Sequence, residues 1–118
     1  MLQNTIKKNL KMIRVVDILG QDIKEGDFGL VSWYSRWMFP VIITQVHLSD
    51  KVSDYHYLRF AWIKEGTYNS ILNSKSISHA TLVPRDFKCT SFVKSDINLA
   101  SDEIKKYYEV IYKHVKRI

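Results

Sequence analysis

The chain has 118 residues, the size of one domain, and 46% of them are apolar, enough for a core and ordinary for a soluble protein. No apolar run approaches the ~20 residues of a membrane span, the basic start "MLQNTIKKNLKMI" has no continuous apolar stretch of a secretory signal, and the lone Cys89 excludes an internal disulfide. These features point to a reducing intracellular compartment, while the net charge of +6 points to a polyanionic partner such as nucleic acid.

The charge sits mainly at the two ends. Residues 1–14 carry Lys7, Lys8, Lys11 and Arg14 with no acid, and residues 101–118 carry five bases against Asp102, Glu103 and Glu109. Residues 1–13, with weak helical spacing of Ile6, Leu10 and Ile13, read as a short helix or an arm. "RVVDILG" (14–20) is a short apolar piece closed by Gly20, and "QDIKEGD" is a turn. "FGLVSWY" (28–34) reads as a strand and "SRWM" as a connection. "FPVIITQVHL" (39–48) is the strongest strand, β-branched and apolar, with Pro40 near its start. "YHYLRFAWI" (55–63) alternates strictly, with Tyr55, Tyr57, Arg59 and Ala61 on one side and His56, Leu58, Phe60 and Trp62 on the other. "YNSIL" (68–72) reads as a fourth strand and "HATLVPRDF" (79–87) as a fifth, and residues 88–100 as including a turn or short helix. The tail changes period: Ser101 is an N-cap, and Ile104, Tyr107, Tyr108, Ile111 and Val115 form one apolar stripe of a helix. The sum is a mainly β domain, a small curled barrel of five strands followed by a C-terminal helix. It divides into a basic extension (1–21) and a domain (22–118), with the barrel over 22–87 and the helical tail over 88–118.

Catalytic and metal signatures are weak. His47, His56, His79 and His114 are scattered without metal-ligand spacing, so neither metal nor cofactor is expected. The four glycines form no phosphate loop, no nucleophile elbow is present, and Asp102-Glu103 reads as a helix start. Aromatic residues are the informative class, gathered at 28–39 and 55–68. Ring faces attract a quaternary ammonium, which loses little hydration on entry, so three rings at right angles make a methyl-lysine cage. Barrel cores also need aromatics, and each ring taken alone reads first as core.

Gly26-Asp27, a strand, an aromatic arch and then Pro40-Val-Ile-Ile resemble a PWWP domain of the Tudor-like superfamily, with Trp37-Met38-Phe39-Pro40 in the place of the naming motif. "YLRFAWI", "ATLVPRDF" and "NLASDEIKKYYEVIYKHV" are similar to that family's third strand, a later strand and its helical tail. The resemblance covers about residues 22–118. It makes the five-stranded barrel SH3/Tudor-like (PWWP-like), and it implies a non-enzymatic reader with Phe39, Phe60 and Trp33 as cage walls, a histone tail or nucleosome and DNA as partners, other chromatin-complex subunits beside them, and a nuclear location. It further implies DNA attachment through basic surface, for which this chain offers Lys7, Lys8, Lys11, Arg36, Lys105, Lys106 and Lys113. Four positions depart from the pattern. Trp37 and Met38 replace the motif's first two residues, Arg36 stands where a cage aromatic is usual, and Trp62 replaces a glycine. Two other readings stand beside it. One is an SH3-like domain docking a peptide without regard to methylation. The other is a MazF/Kid-type toxin ribonuclease, which "EGDFGLVSWY…FPVIITQV" also resembles, with Arg36 stabilising phosphoryl charge.

Overall fold

Hydrophobic alternation and turn chemistry decide most of the architecture. The computed structural model describes residues 14–33, 36–48, 56–85 and 87–117, with the backbone alone described at 33 and 36–38. In chain order the elements are β1 (Val16–Asp17), β2 (Phe28–Trp33), β3 (Arg36–His47), β4 (Tyr57–Trp62), α1 (Glu65–Ser74), β5 (Ala80–Leu82), β6 (Lys88–Cys89) and β7 (Phe92–Lys94). A single 3-10 turn (Ile97–Leu99) and α2 (Asp102–Arg117) complete them. Five strands form one antiparallel sheet in the order β5-β4-β3-β2-β7, and β1 and β6 make a short parallel pair.

The sheet is covered on both faces, which explains the uninterrupted Val41-Ile42-Ile43 run, buried at every position. Val41 and Ile43 join Val31, Leu58, Phe60 and Phe92 in one core, together with Val15 and Ile23 from the start of the domain. Ile42 points the other way, with Phe28, Ala61 and Ile63, into a second core closed by α1 and α2. Ala61 is therefore buried although its neighbour Arg59, on the same side of β4, is exposed.

The terminal helix follows its sequence pattern. The amide of Ile104 donates to Ser101 Oγ at 3.2 Å, acids open the helix, and bases close it. Tyr107, Ile111 and Val115 are buried along one stripe. The second helix corrects the expectation of a strand over 68–72. Residues 65–74 wind into α1, because Tyr68 and Ile71, one turn apart, both meet the second core. Lys75 ends it in the left-handed conformation, its N–H on the Ile71 carbonyl. The fifth strand of the sheet comes instead from Phe92–Lys94, which pairs with β2 beside residues 29–31. Arg36–Met38, read as a connection, is the start of β3, with Arg36 opposite Trp33 across the hairpin.

The domain also begins before residue 22. Val15 is buried, and Asp17 is fully buried. Asp17 Oδ1 accepts from the amides of Leu19 (2.9 Å) and Gln21 (2.8 Å), and Oδ2 from Gln21 Nε2 (2.9 Å) and the Lys94 amide (2.7 Å). Gly20, at φ +83°, closes this turn by donating to the Asp17 carbonyl.

Gly29 lies in β2 directly beneath Phe92. A Cβ there would collide with the Phe92 ring and with the Val93 carbonyl, which the β2–β7 ladder holds in place. Gly29→Ala is expected to destabilise the domain by about 1–3 kcal/mol, the usual cost of overpacking, read as a lower urea midpoint at unchanged m-value.

Candidate functional site

The aromatic residues of 33–40 and 57–62 meet because β3 and β4 are neighbours. Val41 pairs with Trp62 and Ile43 with Phe60, and Phe39 sits two residues before Val41 on the same face. Phe39 and Trp62 rings stand 5.6 Å apart at 79°, and Trp62 and Phe60 stand 5.1 Å apart at 84°. The three rings descend from surface to core: Phe39 is 38% exposed, Trp62 is half-buried and Phe60 is fully buried. Two rings at a right angle, one of them open to solvent, make an aromatic corner at the edge of the first core.

Phe60, read as a cage wall, is thus a core residue. It lies on the inward side of β4 among Leu58, Val31 and Phe92, where no ligand reaches it. Trp62, half-buried, stands between Phe60 and the more exposed Phe39. The side chains of Trp33 and Arg36, one expected as a wall and the other as a nucleic-acid contact or ribonuclease cation, lie outside the described residues, as do Lys7, Lys8 and Lys11.

Three expected basic residues are placed on α2. Lys105 is half-buried, Lys106 Nζ lies 5.3 Å above the Tyr68 ring, and Lys113 pairs with Glu109 at 3.4 Å. They are on the opposite side of the sheet from the aromatic corner, because α2 packs on the second core. Lys113 borders a shallow hollow of about 210 Å³ between α1 and α2, shared with Lys75, His114 and Arg117.

Beside the last turn of α2 on that side lies a polar cleft of about 370 Å³, lined by Glu25, Thr44, Gln45, Arg59, His79 and Val115. The sequence reading did not single these residues out. Their signal was the alternation of "YHYLRFAWI", which assigns Tyr57 and Arg59 to one side, combined with a bulge that no pattern announces. Gln45 pairs with Arg59, yet Ile43 pairs with Phe60, so Thr44 is the extra residue of a β-bulge. The bulge lets two consecutive residues, Thr44 and Gln45, line one cleft. Thr44 Oγ1 is 2.8 Å from His79 Nδ1. Burial holds the His79 pKa below the ordinary histidine value, and the charges of Arg59 and then His114 add to the effect.

Other chemistry-bearing groups are structural. Cys89 is buried, and burial pushes its thiol up, away from nucleophilic use. The Tyr107 hydroxyl donates to Glu103 at 2.8 Å, a bond that holds its pKa up at about 12. Among the described residues no three His, Cys, Asp or Glu side chains gather where they could hold a metal, and no helix is long and apolar enough to cross a membrane.

Comparison with known proteins gives no match: no protein-family model fits the chain, and no curated protein or solved structure is significantly similar to it.

Proposed function

We propose that the chain is a small SH3/Tudor-like binding module, working by recognition and not by catalysis, whose aromatic corner takes a methylated lysine of a histone tail. Attachment to DNA through the basic surface adds a second weak contact, and a nuclear, chromatin-bound setting with other complex subunits nearby follows from that ligand. The strand order supports the barrel part of this reading. Four strands run as a meander broken only by α1, and β7 returns to lie beside the first of them.

The observation that carries the ligand part is the right angle between Phe39 and Trp62, with Phe39 partly open to solvent. A methylammonium set into such a corner meets ring faces on two sides. Weak capture of a tail and weak attachment to DNA on one nucleosome multiply through effective concentration. The test is titration of methylated and unmodified nucleosomes. Wild-type protein is expected to prefer the methylated form, and Phe39→Ala to remove about 1–2 kcal/mol of that preference, roughly ten-fold, with the fold intact.

A second reading is favoured by the closeness of the rings. At 5.6 Å Phe39 and Trp62 pack edge to face on one another, and with Phe60 buried two rings form the corner among the described residues. Such a corner also suits an apolar peptide side chain, as an SH3-like docking domain would use it. Equal binding to both nucleosomes, with a peptide partner insensitive to methylation, would establish that reading and remove the first.

A further inference from the structure

The cleft at Arg59 combines four features. First, the Arg59 guanidinium has no carboxylate within ion-pair distance among the described residues. Second, it is aimed by stacking: Arg59 Cζ lies 5.3 Å above the Tyr57 ring, and Tyr57 in turn stacks on His47 at 4.6 Å and 17°. Third, hydrogen-bonding groups surround it. Gln45 lies opposite Arg59 across the ladder. The Thr44 hydroxyl engages His79 Nδ1, leaving Nε2 with no partner among the described residues. Fourth, further cations continue along the same side of the sheet, from the cleft to Lys113, Arg117 and Lys75 at the neighbouring hollow. Glu25 is among the cleft's lining residues, and Lys116 Nζ donates to its backbone carbonyl at 3.2 Å.

A planar guanidinium, a histidine, a hydroxyl and an amide around one water-accessible cleft are complementary to a phosphate. Flat rings beside the cation, and a line of bases leading away, extend that complementarity from one phosphate to a strand. We propose that the Thr44–Gln45–Arg59–His79 cleft is a phosphate-binding site for the backbone of a single-stranded nucleic acid. Arg59 makes the principal charged contact, Gln45 and His79 add hydrogen bonds, and the strand runs on toward Lys113, Arg117 and Lys75. This site lies across the sheet from the aromatic corner and does not depend on what that corner binds.

The test measures binding of a fluorescein-labelled single-stranded oligonucleotide at several salt concentrations. Arg59→Ala is expected to weaken binding about ten-fold and to reduce the slope of log affinity against log salt by about 0.7, one phosphate contact. Gln45→Glu, nearly isosteric, places a carboxylate in the cleft and is expected to weaken binding by a similar factor. Arg85→Ala, which removes an exposed arginine elsewhere, is expected to change affinity less than about two-fold. Circular dichroism confirms that each variant is folded. Unchanged binding in both Arg59→Ala and Gln45→Glu would overturn the proposal. Inorganic phosphate competing as well as unlabelled strand, at matched phosphate, would replace the strand by a free anion. Displacement by polyglutamate as effective as by the strand would reject phosphate recognition.

Discussion

Replacing Asp17 with alanine is expected to destabilise the domain by about 3–5 kcal/mol, a large share of the roughly 5–15 kcal/mol that holds a small protein folded. The carboxylate is fully buried and accepts four hydrogen bonds, two on each oxygen. Three of its donors are backbone amides, at Leu19, Gln21 and Lys94. They join β1, the turn that follows it and β7, segments 77 residues apart at the extremes. Alanine leaves those part-buried amides without their acceptor, and an orphaned buried donor costs about 1–3 kcal/mol. Asp17→Asn separates hydrogen bonding from shape. Its one carbonyl oxygen serves either the Leu19 and Gln21 amides or the Gln21 Nε2 and Lys94 pair, and its NH2 group then faces two donors. An intermediate loss, about 1–3 kcal/mol, is expected for it in urea denaturation. Equal stability of wild type and Asp17→Ala would show that the network does not hold the two segments together.

The same residue shows what was legible in the chain and what was not. "RVVDILGQD" reads locally as an apolar piece and a turn, and the turn is there. What local pattern cannot show is that Lys94, far away in sequence, supplies the fourth donor, so that residues 14–21 belong to the domain and not to an extension. Strands with clear alternation or β-branched runs, β2, β3 and β4, were readable, as was α2 with its cap and stripe. The strand count of five was reached through two errors that offset each other. Tyr68 and Leu72 suit one side of a strand, but Tyr68 and Ile71, one helical turn apart, pack on the second core and select the helix. Phe92–Lys94 is three residues long and is a strand only because β2 lies beside it. At the site, Phe39 and Trp62 were visible as aromatics, but which of three rings faces solvent depends on depth in the core. The cleft depended on a bulge at Thr44, which follows from how two strands meet and leaves no mark in one of them alone.

Phe60→Ala is expected to cost about 3–5 kcal/mol, whereas Phe39→Ala is expected to stay near or below about 1 kcal/mol. Phe60 has no exposed surface and packs with Val31, Leu58 and Phe92, so its removal leaves a cavity that the surrounding strands close only in part. Phe39 is more than a third exposed and loses one edge-to-face contact. The contrast separates a core ring from a partly exposed ring, the proposed ligand wall, which sequence alone treats as equivalent. Phe60→Leu refines it. Leucine keeps much of the volume but removes the ring that stands at 84° against Trp62, so the domain should remain folded with a loss of about 1–2 kcal/mol. Because Trp62 then loses its edge-to-face contact with Phe60, the proposed ligand capture at the corner should weaken in Phe60→Leu while the protein stays native by circular dichroism. Full stability in Phe60→Ala together with lost binding would place Phe60 in the wall after all, and would require the first core to close without it.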